Sequence, residues 1–250
     1  MTANPYETIG FDYARFRRPD PRISAQINRA LGSARTVVNV GAGTGSYEPT
    51  DRLVTAVEPS SVMIHQRSPG SAPVTQAYAE SLPFPDQSFD AAMAILTVHH
   101  WTDVTAGLAE LRRVSGRQVV LTWDPVTEGQ FWLLREYLPE IAETTAGLAS
   151  LDAVVTSLSR VGADVSVVPV LIPADCTDGF LGAYWRRPHR YLDPQARAAI
   201  SAMTQLDHHV LEPAVQRLKA DITTRRWHHR HKSLLDADAL DLGHRLVMAH

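Results

Sequence analysis

The stretch VVNVGAGTG, residues 37–45, decides the fold of this chain. A short apolar and β-branched run leads directly into three alternate glycines, Gly41, Gly43 and Gly45. A continuous apolar run is typical of a buried parallel strand, and glycine straight after it allows a tight turn that approaches a ligand closer than any Cβ permits. The stretch therefore predicts a strand that ends in a ligand-binding turn.

An acidic residue, Glu58, ends the next apolar run, residues 53–57. A carboxylate at the tip of this second strand can accept hydrogen bonds from both hydroxyls of a ribose. The three glycines alternate without the wider last gap of the G-x-G-x-x-G fingerprint, and no Gly-Lys-Ser/Thr follows them. The pattern therefore favours an adenosine ligand without a pyrophosphate over NAD or ATP.

Four further motifs follow in order, with helix-length spacers between them: AVEPSSVMI at 56–64, AESLPFPDQSFD at 79–90, ILTVHHW at 95–101 and LAELRRV at 108–114. With the glycine turn, they resemble the class I S-adenosylmethionine-dependent methyltransferases, specifically the small-molecule branch called type 11. The match covers roughly the first half of the chain. The resemblance implies S-adenosylmethionine as cofactor and transfer of its methyl group to a small-molecule metabolite by in-line displacement.

The order of the elements predicts an α/β fold. Strands at 37–40, 53–57, 91–96 and 118–123 alternate with helices at 22–31, 62–66 and 103–114, the pattern of a mostly parallel sheet covered by helices on both faces. Two helices, 131–143 and 149–161, and strands at 165–172 and 243–249 follow. The resemblance implies a Rossmann-like sheet of seven strands, with an antiparallel pair at its edge.

We expect one domain with three parts. Residues 1–33 form a helical arm, and residues 34–172 with 242–250 form the Rossmann-like core. Residues 173–241, rich in arginine and aromatic side chains, form a helical cap inserted before the last strand and covering the active site.

Composition narrows the partners. The chain has 250 residues, 44% of them hydrophobic, which suits one domain with a complete core, and its net charge of −3 argues against a nucleic acid held by bulk electrostatics. One cysteine, Cys176, excludes an internal disulfide framework or a cysteine-rich metal site, and the histidines at 228, 229 and 231 lack the i, i+4 spacing of helical metal ligands. No apolar run approaches a membrane span of ~20 residues. We expect a soluble cytoplasmic protein without metal or membrane partner; its oligomeric state stays open.

The resemblance assigns the cofactor contacts residue by residue. Glu58 is the ribose ligand, and Tyr13 and Arg18 of the arm contact the cofactor carboxylate. The remaining implied contacts are Gly41, Ala42 and Gly43 under the methionine and ribose, Pro59, Ser60 and Met63 around the adenine, Ala79 and Glu80 at the adenine edge, and Leu96 and Thr97 at the methionyl ammonium. The chain departs from many relatives at Tyr78, where they carry Asp or Asn.

The substrate side is predicted from residue chemistry. An unperturbed imidazole pKa near ~6.5 suits a general base, so His99 is the catalytic candidate; a structural role for both His99 and His100 stays equally open. Trp101, Trp185 and Arg186 are candidate substrate contacts, because aromatic and guanidinium groups suit a planar or acidic molecule. For Trp185, ordinary core packing is an equal alternative. A regulatory protein that binds the cofactor without turnover is the alternative function.

Overall fold

A mixed sheet forms the centre of the computed structural model, which describes residues 16–145 and 150–250. In chain order the strands are β1 Thr36–Val40, β2 Leu53–Val57, β3 Val74–Thr75, β4 Phe89–Ile95, β5 Ser115–Trp123, β6 Val165–Pro169, β7 Ile172–Pro173, β8 Ala239–Leu240 and β9 His244–Ala249. Seven of them form one sheet in the order β3-β2-β1-β4-β5-β9-β6. The first five are parallel, and β9 is antiparallel to both β5 and β6. The predicted fold class is confirmed.

Two of the longer helices begin at the capping residues that the sequence signals, while other helices lack a side-chain cap. The helices are Pro21–Leu31, Ser61–His65, Val104–Val114, Pro125–Glu128, Trp132–Glu136, Glu140–Thr145, Leu151–Arg160, Pro194–Ala198, Ser201–Thr204, His208–Thr223, Arg226–Arg230 and Lys232–Leu235. The first begins at Asp20, whose side chain accepts from the Arg22 amide, and it ends at Gly32. Asp103 caps the helix Val104–Val114 in the same way, through the Ala106 amide. No helix among the described residues is long and apolar enough to cross a membrane.

Each face of the sheet carries its own hydrophobic core. On one face, Leu108 and Leu111 of the helix Val104–Val114 and Val154 and Leu158 of the helix Leu151–Arg160 are completely buried. On the other face, the helix Pro21–Leu31 packs in one continuous cluster with the aromatic side chains of the segment that follows β7. The sheet is therefore covered on both sides, and that segment shares the core of the second side.

The segment between β7 and β8, residues 174–238, is a helical insertion between the last two strands of the main sheet. β7 and β8 pair antiparallel and bring its two ends together. Its interior is aromatic: Trp185, Tyr191 and Trp227 have no exposed surface. The Trp132 indole, from the core side, donates to the Trp185 carbonyl at 2.9 Å. The insertion is thus fastened to the core by buried hydrogen bonds as well as apolar contacts.

Several predicted boundaries are wrong, for identifiable reasons. β5 begins at Ser115, directly after the preceding helix, so the predicted strand 118–123 is three residues too short at its start. The predicted helix 131–143 is two short helices, because Pro139 disfavours helical backbone at the residue before it. The predicted strand 165–172 stops at Pro169, and Ile172 pairs with Leu240 instead.

Candidate functional site

The glycine turn bends over the tip of β2. The amides of Gly41 and Ala42 both donate to the Val57 carbonyl, at 2.9 and 3.0 Å. Gly41 and Gly43 have φ of +71° and +52°, the left-handed region that favours glycine. A Cβ on Gly41 would lie 2.1 Å from Oγ1 of Thr97, which follows β4. The turn therefore packs closely against the ends of two neighbouring strands.

Glu58 is fixed by two backbone amides. Its Oε2 accepts from the Gly43 amide at 2.8 Å, and its Oε1 accepts from the Ser60 amide at 2.9 Å. Burial raises the pKa of this carboxyl, and the two amides act against that rise by stabilising the charged form. Each carboxylate oxygen can accept a second hydrogen bond. The carboxylate is thus held in place with capacity for two further donors, which fits a ribose diol.

The residues after Glu58 close around the same turn. Ser60 caps the helix Ser61–His65 by accepting from the Met63 amide at 3.3 Å, as its sequence position predicts. Met63 is buried, and its methyl group lies 3.4 Å from the position of a Cβ on Gly43. Pro59 holds the Gln76 amide through its carbonyl, at 3.0 Å. The structure therefore brings these residues together beside Glu58.

The end of β4 carries a strained residue. Leu96 has φ of +52°, a conformation that costs a non-glycine residue about 1–3 kcal/mol. Its amide donates to the Leu121 carbonyl at 2.8 Å, so the strand ladder holds it there. Thr97, which is buried, then packs against Gly41. Strain of this kind clusters at ligand sites, and here it lies beside the glycine turn.

Of the two residues predicted at the adenine edge, Glu80 has a different role within the chain. Ala79 is buried, but the Glu80 carboxylate accepts from the amides of Thr102 and Asp103, at 2.7 and 3.0 Å. Glu80 therefore fastens the loop after β4 at the start of the helix Val104–Val114. Tyr78, where many relatives carry Asp or Asn, is exposed.

The arginine of the arm that faces inward is Arg17. Its Nε lies 2.6 Å from Oδ1 of Asp178, an almost completely buried carboxylate at the start of the insertion. Tyr47, just beyond the glycine turn, donates its hydroxyl to the other oxygen of Asp178 at 2.9 Å. Arg18 is exposed. Tyr13, the other predicted arm contact, lies outside the described residues.

A buried ion pair lies beneath the glycine turn, and the sequence pattern does not predict it. Arg67 and Glu48 have side chains only 4% and 9% exposed, and they meet at 2.7 Å. Arg67 also donates to the carbonyls of Gly43 and Ala72, both at 3.1 Å, while the Asn39 amide donates to Glu48. The pair therefore fixes the carbonyl side of the residue whose amide holds Glu58. The one local signal in the sequence is Glu48, a charged residue that stands among uncharged neighbours.

The two histidines after β4 differ from the expectation of an unperturbed pKa. Burial, with smaller contributions from His100 and Arg17, holds the pKa of His99 well below its usual range. His100 is more exposed, but surrounding protein and the charge of Arg17 also lower its pKa, to about 4. Nδ1 of His99 is enclosed without a hydrogen-bond partner, and its ring stands 4.4 Å from that of Trp123. Both imidazoles are neutral at physiological pH, and His99 is a weak base.

The three residues predicted to contact the substrate each pack against, or donate hydrogen bonds to, other parts of the chain. Trp185 is 0% exposed, and its indole donates to the Ile172 carbonyl at 3.0 Å, so it is core packing of the insertion. Arg186 donates to the carbonyls of Leu235 and Ala237 at the far end of the insertion. Trp101 packs edge-on against the helix Val104–Val114, where a Cβ on Gly107 would overlap its ring. The structure gives Trp185 and Arg186 packing and hydrogen-bonding roles within the insertion, and the substrate contacts of all three residues stay predictions.

Comparison with known proteins agrees with this geometry. A family model for a methyltransferase domain matches residues 38–120. A solved structure from Anabaena variabilis, of a candidate methyltransferase from an antibiotic biosynthesis pathway, is 31% identical; the alignment covers 94% of this chain and 99% of that chain with a TM-score of 0.88. The similarity therefore extends through the helical insertion.

Two curated relatives match over shorter regions. The demethylmenaquinone methyltransferase of Deinococcus radiodurans is 29% identical over 148 residues, 53% of this chain and 61% of the relative. The uncharacterized methyltransferase YcgJ of Bacillus subtilis is 30% identical over 115 residues, 42% of each. The chain thus spans less than two thirds of the length of these relatives.

The chain belongs to the class I S-adenosylmethionine-dependent methyltransferases, in the type 11 branch. S-adenosylmethionine is the cofactor of this family.

Proposed function

We propose that this protein binds S-adenosylmethionine at the glycine turn and transfers its methyl group to a small-molecule metabolite held beneath the insertion. The observation that carries the proposal is the Glu58 carboxylate, fixed by the amides of Gly43 and Ser60 beside that turn. No other carboxylate among the described residues combines this place at the tip of β2 with two backbone amides and free acceptor capacity.

The cofactor supplies a methyl group on a sulfonium, which an aligned nucleophile displaces in line while a neutral thioether leaves. The chain has to bind and orient. Glu58 accepts from the ribose hydroxyls, and Gly41, Ala42 and Gly43 line the methionine and ribose. The proposed adenine contacts are Pro59, Ser60, Met63, Ala79 and the backbone beside Glu80.

The ends of β4 and of the arm complete the proposed cofactor site. The Leu96 carbonyl is directed by the left-handed backbone at this residue, and we assign it with Thr97 to the methionyl ammonium. Arg18 remains the proposed partner of the cofactor carboxylate, since its guanidinium makes no hydrogen bond or ion pair with a described residue. Tyr13 remains a proposal from the family resemblance alone.

A small molecule suits the substrate side. The arm and the insertion meet next to the glycine turn, through Arg17, Asp178 and Tyr47. The insertion also shares a continuous core with one face of the sheet, which supports its proposed role as a cover over that side of the site. A covered site excludes water from the reacting centre and favours a compact substrate over a polymer.

Titration calorimetry with S-adenosylmethionine tests the cofactor assignment. Glu58→Ala should weaken binding by about 1.5–3 kcal/mol, roughly 10- to 150-fold, because both ribose hydroxyls lose a charged acceptor. Glu212→Gln, an exposed carboxylate of the insertion bonded only to Gln216, is the matched control and should bind like the parent. Equal affinities of Glu58→Ala and parent would refute the assignment.

Turnover separates the enzyme from the regulatory alternative. The parent should release S-adenosylhomocysteine with at least one member of a panel of small phenols, acids and amines. Tight cofactor binding with no release across such a panel would instead favour a regulatory protein.

A further inference from the structure

Glu128 carries a carboxylate that no described residue pairs. It ends the short helix Pro125–Glu128, directly after β5, at the sheet edge where the carboxyl ends of the parallel strands lie. Ligands of open α/β sheets bind at this edge. No hydrogen bond or ion pair from residues 16–145 and 150–250 reaches its carboxylate, and its oxygens are not among the enclosed unpartnered atoms. The carboxylate is therefore open to a ligand from within a half-buried position.

The start of β9 forms one wall beside Glu128. Gly243, at φ of +85°, accepts from the Asp124 amide at 2.6 Å, and a Cβ on it would lie 3.3 Å from Cβ of Glu128. The next residue, His244, is directly opposite Trp123 in the β5–β9 register. Its side chain is only 6% exposed, and its Nδ1 is enclosed without a partner. Glu128, which contacts Gly243, and His244, which follows Gly243, thus both have unmet hydrogen-bonding capacity.

Asp124, Asp241 and Arg17 are each paired with another described residue. Asp124 accepts from Val126 and Thr127 and lies 3.8 Å from Arg245. Asp241 pairs with Arg245 at 2.7 Å, and Arg17 pairs with Asp178. Glu128 has no such neighbour, so burial alone raises its pKa to about 7. Burial also lowers the pKa of His244, to about 4, with a small opposing effect from Asp241.

The walls of this position are aromatic. Phe180 of the insertion stands 4.7 Å from His244, ring centre to ring centre, and Trp123 stands 4.4 Å from His99. The positive charge of Arg17 contributes to the lowered pKa of His99, His100 and His244 alike. Aromatic walls suit a flat ring, and a carboxylate without a partner among the described residues can accept a hydroxyl proton.

We propose that Glu128 and His244 form the polar end of the substrate pocket and that the substrate presents an acidic hydroxyl on a flat ring, as a phenol or an enol does. The assignment rests on the proposed function. Glu128 accepts the hydroxyl proton: the substrate O–H bond breaks, an O–H bond forms on the carboxylate, and the electron pair stays on the substrate oxygen. That oxygen is then the nucleophile, and the protonated carboxyl returns its proton to water.

Glu128 suits this step better than His99. A base works best when its pKa lies near the working pH, and buried glutamates are tuned to that range in many enzymes. His99 is a weak base, because burial holds its pKa well below 6.5. His99 and His244 then orient the hydroxyl as neutral hydrogen-bonding groups.

The test uses 2-naphthol as a neutral fluorescent phenol and the full chain saturated with S-adenosylhomocysteine. Affinity of the parent for 2-naphthol should rise as pH increases through about 7, because the ionised Glu128 accepts a charge-assisted hydrogen bond. Glu128→Gln should bind at least about tenfold more weakly at pH 8 and lose the pH dependence. Glu212→Gln should retain both.

Turnover of 2-naphthol should fall by about 10²–10⁴-fold in Glu128→Gln, the loss typical of a missing general base. A Glu128→Gln variant with the parental pH profile would overturn the assignment. So would a parent that binds S-adenosylhomocysteine but not 2-naphthol, or one that prefers the cationic benzylamine. Failure of the parent to bind S-adenosylhomocysteine at all would instead overturn the proposed function, and melting curves of each variant separate these outcomes from misfolding.

Discussion

The two halves of the site differ in how their carboxylates are bonded. Beside the glycine turn, Glu48 and Glu58 are held by donors from within the chain. Near β5 and β9, Glu128 has no partner among the described residues, and Nδ1 of His99 and of His244 is unpaired. The carboxylates beside the glycine turn are thus fixed by donors from within the chain, whereas the region near β5 and β9 keeps polar atoms without a partner among the described residues.

This difference has an energetic meaning. A paired buried carboxylate adds to stability or is neutral, but an unpaired one lowers stability and is retained where a ligand needs it. Substitutions in the two halves should therefore change stability in opposite directions.

The largest effect is expected beneath the glycine turn. Arg67→Met leaves Glu48 buried without its partner, which should lower the free energy of unfolding by about 3–5 kcal/mol in urea titrations. Adding Glu48→Gln should recover part of the loss. Arg226→Met removes an exposed pair with Asp221 and should cost less than about 1 kcal/mol. Equal losses for Arg67→Met and Arg226→Met would remove the distinction between the halves.

Glu128→Gln should have the opposite sign. A pKa of about 7 in the folded chain, against 4.5 when unfolded, means that the protonated form is favoured by folding, so stability is lost as pH rises from about 4.5 to 7. The loss is at most about 3 kcal/mol, and less because the carboxylate oxygens reach solvent. Glu128→Gln should thus be more stable than the parent at pH 8 and equal to it at pH 4. Thermal melting at both pH values measures this; destabilisation at pH 8 would show a hidden partner.

A smaller effect is expected where the arm meets the insertion. Asp178→Asn removes the charged acceptor of Arg17 and Tyr47, and should cost about 1.5–3 kcal/mol. Hydrogen exchange should accelerate in residues 175–184 before the rest of the insertion. The control, Asp175→Asn, changes an exposed partner of Arg22 and should leave exchange unaltered. Uniform acceleration throughout the chain would mean that Asp178 stabilises the whole fold instead of this junction.

His99→Gln should have the smallest effect. It should leave cofactor affinity unchanged and lower turnover less than about tenfold, because a neutral histidine of low pKa contributes one ordinary hydrogen bond. The turnover of Glu128→Gln should also show no rise near pH 6.5, because the pKa of His99 lies well below that value. A loss of 10²-fold or more on His99→Gln would return the role of base to this residue.

The sequence predicts the local geometry of the glycine turn and of the Ser60 cap, since the signals there are local. A strand, a glycine turn and an acid at the next strand tip occur within 22 residues. Ser60 is a typical N-cap residue, and it lies three residues before Met63, whose amide it accepts from. These features depend on backbone conformation and short spacings, which a sequence pattern encodes directly.

The substrate half depends on contacts between distant segments. Glu128 and Gly243 become neighbours only because β9 inserts antiparallel beside β5. Arg17, not Arg18, meets Asp178 because a bridge between the two backbones fixes which side chain turns inward. Trp185 and Arg186 look like ligand-binding residues in composition, yet the insertion needs an aromatic interior and donors for its own carbonyls. Residue type alone cannot separate these uses.

The short β7–β8 ladder makes the helical insertion a segment whose two ends are adjacent and whose length can therefore change. Ile172 is paired with Leu240 and Pro173 with Ala239, so the chain leaves and re-enters the core at nearly one point. A segment with adjacent ends can lengthen at small cost in loop-closure entropy, provided that its contacts with the core, such as those of Asp178 with Arg17 and Tyr47, are kept. Grafting a relative's segment between Pro173 and Ala239, with these contacts retained, is therefore a direct test of whether the insertion sets the substrate range.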